Sequence, residues 1–138
     1  MNRIVVLDNE AVQALQNPAH PEHRRVVSLA QVVASRKRRA ATIEVAVPTA
    51  VRVEAGWDRT SPAWVFPNRL HIADVPLDAA RASTAAAIRH RTGVCVADAH
   101  LGAVIQSAPA GQQIAVATSD PADMRLVAED REITVVAI

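Results

Sequence analysis

Asp8, Glu54, Asp98 and Asp120 are the side chains of this sequence best placed to do chemistry. Asp8 ends the unbroken apolar run Ile4-Val5-Val6-Leu7, Glu54 lies on a short helical stretch after a second apolar run, Asp98 falls in the first turn of a later helical stretch, and Asp120 follows the run Ile114–Ala117. Short β-branched runs of this kind fit strands buried on both faces of a parallel sheet. Such sheets bind ligands beyond the carboxyl ends of their strands, where these acids would meet. Carboxylates gathered there repel. A pair ~4 Å apart costs about 4 kcal/mol at an effective dielectric of ~20, against a total domain stability of roughly 5–15 kcal/mol. A cation or a proton relieves the repulsion. Oxygen donors without His or Cys at ligand spacing favour Mg²⁺ or Mn²⁺ over zinc. An ion of that class binds phosphate oxygens, lowers the pKa of an attacking water and offsets charge developing on a phosphodiester.

Each acid also has a plainer role. Asp98 and Asp120 stand where helix caps and first-turn acids are common, and Glu54 alone reads as a solvated helix residue. Asp8, behind its apolar run, needs no capping role. Glu10 and Glu44 are rival acids near the same edge, Glu44 the poorer because it lies inside a strand.

The elements that must carry these residues alternate along the chain. Strands are expected at Ile4–Asp8, Ile43–Val47, Leu70–Val75, Ile114–Ala117 and Ile133–Ile138. Between them, Ala11, Val12 and Leu15 recur at helical spacing. A helix over Glu22–Arg39 buries Val26, Leu29, Ala30 and Val33, and Pro48 opens a short helix that Gly56 ends. A loop with Pro62 and Pro67 follows. An Ala-rich helix runs over Pro76–Arg91 with stripe Leu77, Ala80, Thr84 and Ile88, and Gly93 stops it. Another covers Val96–Gln106 with Leu101, Val104 and Ile105 buried, and Pro121 starts a last short one. The pattern implies an α/β fold: a single doubly wound domain, residues 1–138, with a mainly parallel five-stranded sheet flanked by helices.

Half of the 138 residues are hydrophobic, which supplies a core and excludes a disordered chain. No apolar run approaches the ~20 residues of a membrane span, and no charged region with an apolar leader opens the sequence. The expectation is a cytoplasmic protein with no membrane partner. One cysteine, Cys95, rules out an intramolecular disulfide and a cysteine zinc cluster. The net charge is only +1, and Lys37 is the sole lysine, so the cationic side chains are otherwise arginine. Arginine grips phosphate with two donors at once, although codon bias in the source genome gives the same composition.

Taken in order, Val6-Leu7-Asp8, Pro48-Thr49-Ala50-Val51-Arg52-Val53-Glu54, Ala97-Asp98-Ala99 and Thr118-Ser119-Asp120 resemble the PIN-domain ribonucleases, most closely the VapC-type toxin subunits of type II toxin–antitoxin pairs. The resemblance covers essentially the whole chain. It implies that Asp8, Glu54, Asp98 and Asp120 form the acidic quartet of a Mg²⁺- or Mn²⁺-dependent endoribonuclease, with Asp8 and Asp98 the most direct ligands. Thr118 matches the hydroxyl residue found two places before the fourth acid, where it would position Asp120 or a water. Asp123 is an outer acid of the site or an ordinary first-turn acid. Asn9 departs from the Thr or Ser common after the first acid, yet can still hydrogen-bond Asp8. The implied partners are RNA, a cognate antitoxin whose tail folds into a groove, and a second copy of the chain in a homodimer.

RNA needs positive charge near the acids. Arg24, Arg25, Arg36, Arg38 and Arg39 are candidates, as are Arg89 and Arg91, each of which also fits an ordinary solvated helix face. Trp57, Trp64 and Phe66 share one short stretch and read as core filling, or else as a partner surface. His20, His23, His71, His90 and His100 are scattered, and none forms a triad pattern with Cys95 or a serine. A phospho-aspartate receiver or phosphatase on a similar sheet would need a lysine near a late strand, and Lys37 is too early; Asp8-Asn9-Glu10 also lacks the paired aspartates of haloacid-dehalogenase enzymes. A PIN-fold binding module without catalysis is the other alternative.

Overall fold

The computed structural model describes residues 2–36 and 43–138. In chain order they form β1 (Arg3–Leu7), α1 (Asn9–Gln16), α2 (His23–Arg36), β2 (Ile43–Pro48), α3 (Thr49–Ala55), a single 3₁₀ turn (Pro62–Trp64), α4 (Val65–Asn68), β3 (Ala73–Val75), α5 (Ala79–Thr92), α6 (Val96–Ser107), β4 (Gln113–Thr118), α7 (Pro121–Ala128) and β5 (Thr134–Ala137). The five strands make one sheet in the order β3-β2-β1-β4-β5. Every pairing is parallel, so the expected sheet is parallel throughout rather than mainly so.

The strands alternate their side chains between two cores. Val5 and Leu7 of β1, Val45 and Val47 of β2, and Ala115 and Ala117 of β4 face α1, α2, Val51 of α3 and the two tryptophans. Ile4, Val6, Ala46, Ile114 and Val116 face α5, α6 and α7. Burial on both faces is why these strands read as continuous apolar runs. Trp57 and Trp64 fill the first core, and Phe66 stays exposed at its margin.

Three boundaries differ from the sequence reading. β3 begins at Ala73 rather than Leu70, because His71 has φ 55° and breaks the extended backbone just before it. α5 begins at Ala79, not Pro76: Asp78 is the N-cap, its carboxylate accepting from the Arg81 N–H at 2.9 Å, which leaves Leu77 outside the helix and 38% exposed. The stretch read as a loop around Pro62 and Pro67 contains the 3₁₀ turn and α4, since Pro62 sits at a first-turn position that needs no N–H.

α6 is buried on nearly all sides, from Ala97 through Ile105 with Asp98 the half-buried exception. Gly102 lets α7 approach it: a Cβ there would stand 2.7 Å from the Val127 Cβ and 3.0 Å from the Val127 carbonyl oxygen. Neither atom can swing aside. Gly102→Ala is therefore expected to destabilise the protein by about 1–3 kcal/mol, less the ~1 kcal/mol that alanine gains in helix propensity. Urea unfolding reads the difference; an unchanged midpoint would contradict the close approach. No described helix is long and apolar enough to cross a membrane.

Candidate active site

Asp8, Glu54, Asp98 and Asp120 line one open pocket of about 170 Å³, together with Asn9, Glu10, Cys95, Ser119 and Met124. The pocket lies where the strand order reverses about β1. β2 and its helix α3 lie to one side, β4 and its helix α7 to the other. Asp8 follows β1, Asp120 follows β4, Glu54 rides on α3 and Asp98 opens α6. Glu44 is exposed on β2 and does not line the pocket, whereas Glu54 and the other rival, Glu10, do.

Asp8 is 6% exposed and does have a capping role, contrary to the sequence reading: it is the N-cap of α1, and its Oδ1 accepts from the Ala11 N–H at 2.8 Å. An N-cap was easy to miss because α1 starts directly at the strand end. Burial pushes the Asp8 carboxyl above its ordinary range. Hydrogen bonds from the Thr118 hydroxyl and from the Ala11 and Ser119 N–H groups oppose the shift, and the charge of Glu10 adds to it. Asp98 is also raised, first by burial and then by the charges of Asp123, Glu54 and Asp8, while the Cys95 thiol opposes. Acids from four chain segments thus act on Asp98 or share its pocket.

Asp120 caps α7, its Oδ1 accepting from the Asp123 N–H at 3.2 Å. Its own N–H donates to Thr118 Oγ1 at 2.9 Å. The Thr118 side chain is fully buried and bridges Asp120 to Asp8. Asp123 does not line the pocket, yet it acts on Asp98; burial and neighbouring Asp120 push its own carboxyl up. Asn9 lines the pocket but does not serve Asp8 as expected. Its amide oxygen is buried without a hydrogen-bond partner, and the hydrogen bonds to Asp8 come from other groups.

Two lining residues carry more than sequence reasoning gave them. Cys95 is the N-cap of α6; its sulfur accepts from the Asp98 N–H at 3.4 Å and lies 3.9 Å from Glu54 Oε2. Its place three residues before Asp98 was the available signal. Glu10 is held by His20, Nε2 to Oε1 2.6 Å, while His20 Nδ1 accepts from the Glu22 N–H at 3.0 Å. That acceptor role puts the ring proton on Nε2, so His20 donates to Glu10. Nothing in the spacing of these two residues announced the contact.

Among the described candidate RNA-binding arginines, Arg24 and Arg25 do not line the pocket. Arg24 and Arg25 are exposed on α2, and Arg25 borders an apolar cleft with Leu29, Val136 and Ile138 instead. Arg36 closes the described part of α2, and Arg38 and Arg39 lie outside the described residues. Arg89 donates to the Val94 carbonyl at 3.1 Å, and Arg91 is paired with Glu129. Beside the acids lies a larger apolar groove of about 440 Å³ that shares Glu54 and Cys95 and is bordered by Val53, Leu77 and Val96.

The donor set is oxygen-rich, as Mg²⁺ or Mn²⁺ requires. Among the described residues, no three His, Cys, Asp or Glu side chains converge closely enough to enclose a bare ion. No protein-family model matches this chain, and no curated protein matches it.

Proposed function

We propose that the protein is a divalent-metal-dependent endoribonuclease acting as the toxin of a toxin–antitoxin pair. The observation that carries the reading is the meeting of Asp8, Glu54, Asp98 and Asp120 in one pocket at the carboxyl end of a parallel sheet. Asp8 and Asp98 are the residues that would hold Mg²⁺ or Mn²⁺ directly; both carry raised pKa values that a cation would relieve. The ion, when bound, supplies Lewis-acid stabilisation of charge on the phosphoryl oxygens and a more acidic water. Glu54 and Asp120 would accept hydrogen bonds from waters and direct one of them at the phosphorus. Thr118 keeps Asp120 aimed by binding its N–H. Asn9 Oδ1 offers a further acceptor for a water or a substrate N–H. Val53 and Val96, 82% and 48% exposed, give a second copy or an antitoxin an apolar surface to cover.

The test is cleavage of a mixed single-stranded RNA by the purified chain. Cleavage is expected with Mn²⁺, is abolished by EDTA, and weakens as salt rises because phosphate contacts release counterions. Absence of cleavage together with absence of Mn²⁺ uptake in calorimetry would reject the reading. Partner binding in that circumstance would favour the non-catalytic PIN-fold module.

A further inference from the structure

His100 is the one fully buried ionisable ring of the described residues, set in the otherwise apolar run Ala99–Ile105 of α6. An apolar side chain would fill the space without burying Nε2, which is left to the Pro76 backbone. The other ring nitrogen has a specific task. Nδ1 accepts from the Ala50 N–H at 3.2 Å.

That N–H belongs to the first turn of α3. The N-cap residue of α3 is Pro48, which has no side-chain acceptor, and no side chain caps the helix from its own segment. Seven residues are too few for a helix to hold its place without tertiary support. Two ties fix the start of α3 from outside: the Leu77 N–H donates to Thr49 Oγ1 at 3.3 Å, and His100 accepts from Ala50. Ala50 and Glu54 are four residues apart and share one face of α3. His100 itself lies two residues beyond Asp98 on α6. One hydrogen bond therefore joins the helix that carries Glu54 to the helix that carries Asp98.

We propose that His100 is a positioning residue of the acid pocket, capping α3 from α6 and so setting the distance between Glu54 and Asp98. The role rests on the metal-dependent reading of the pocket. It explains why a histidine occupies a place where leucine would pack.

The experiment compares wild type with His100→Leu, His100→Asn and His100→Gln in the full chain. Amide exchange at Ala50, calorimetric titration with Mn²⁺, and kcat and KM for RNA are measured. The Asn amide oxygen takes the place of Nδ1, whereas the Gln amide reaches past it. His100→Leu is expected to speed exchange at Ala50 and to weaken Mn²⁺ binding by about 10-fold. His100→Asn is expected to keep slow exchange and near wild-type affinity, and His100→Gln to behave as Leu does. The loss should appear in kcat and in the Mn²⁺ concentration needed, with KM for RNA little changed. If the Leu variant does not fold, the Asn and Gln pair decides the question. Leu or Gln variants with wild-type Mn²⁺ affinity would overturn this role and leave the nuclease reading standing; wild-type protein that takes up no Mn²⁺ would overturn both.

Discussion

Asp98→Asn is expected to cut Mn²⁺-dependent RNA cleavage by at least ~10²-fold, the scale of losing one group that stabilises transition-state charge, and at the same time to raise the melting temperature of the metal-free protein at pH 7. The two effects have one cause. Asp98 is held where its ionised form is disfavoured, first by burial and then by the charges of Asp123, Glu54 and Asp8. Its pKa in the folded protein lies above the ordinary 3.8. Between those two values the folded state binds more protons than the unfolded state, so stability falls as pH rises through that window. Asparagine keeps the shape and removes the charge. Wild-type protein without metal should thus become more stable as the pH is lowered through the folded-state pKa of Asp98 toward 3.8. The variant should show a shallower slope, not a flat one, because Asp8 is raised as well. Mn²⁺ should stabilise wild type by mass action and the variant far less. Thermal melts across pH, with and without Mn²⁺, check this; a lower melting temperature for the metal-free variant would contradict the crowding of charge at Asp98.

Trp57→Ala is expected to cost about 3–5 kcal/mol, as for other buried tryptophans, a large share of the roughly 5–15 kcal/mol that holds a domain together. Trp57 is 3% exposed. It stacks on Trp64 with ring centroids 5.6 Å apart and planes 13° from parallel. Its Nε1 donates to Asn68 Oδ1 at 2.9 Å. The Arg59 guanidinium lies 4.6 Å from the ring centroid while also gripping Asp74, and Arg52 of α3 lies 5.8 Å from it. Truncation empties the core and removes the platform under two cations, each such contact being worth ~0.5–1 kcal/mol at an exposed site. Urea unfolding monitored by far-UV circular dichroism reads the loss. Trp57→Phe should retain the stacking and lose mainly the hydrogen bond, so its cost should be smaller. A loss below ~1 kcal/mol for Trp57→Ala would show that the tryptophan pair is not structural.

How much could be read in advance depended on whether the signal was local. The strand Ile4–Leu7 was legible because burial on both faces leaves an unbroken apolar run, and the chain turns of Gly56 and Gly93 because both adopt positive φ at helix ends. The alternation of strands and helices then fixed the common edge where the acids meet. Boundaries were lost where a neighbour outcompeted the local pattern: Asp78 caps α5 better than Pro76 opens it, and His71 bends the backbone where Leu70 suggested a strand. Within the pocket, Thr118 was legible through its spacing to Asp120. The capping by Asp8, the unpaired oxygen of Asn9, the Glu10–His20 contact and the tie from His100 to Ala50 were not. Each of those depends on a side-chain direction or on two segments whose separation carries no periodic signal.

The strand order has a consequence for when the pocket comes into being. β4 lies directly beside β1, although 105 residues separate Leu7 from Gln113 and the chain must pass through β2, β3 and the α5–α6 hairpin before β4 is made. A nascent chain leaving the ribosome can pair β1 with β2 early, but Asp120 is missing until β4 has been made. Half-made copies would therefore carry an open sheet edge and an incomplete set of acids. Whatever the four acids do together must wait until β4 has joined the sheet.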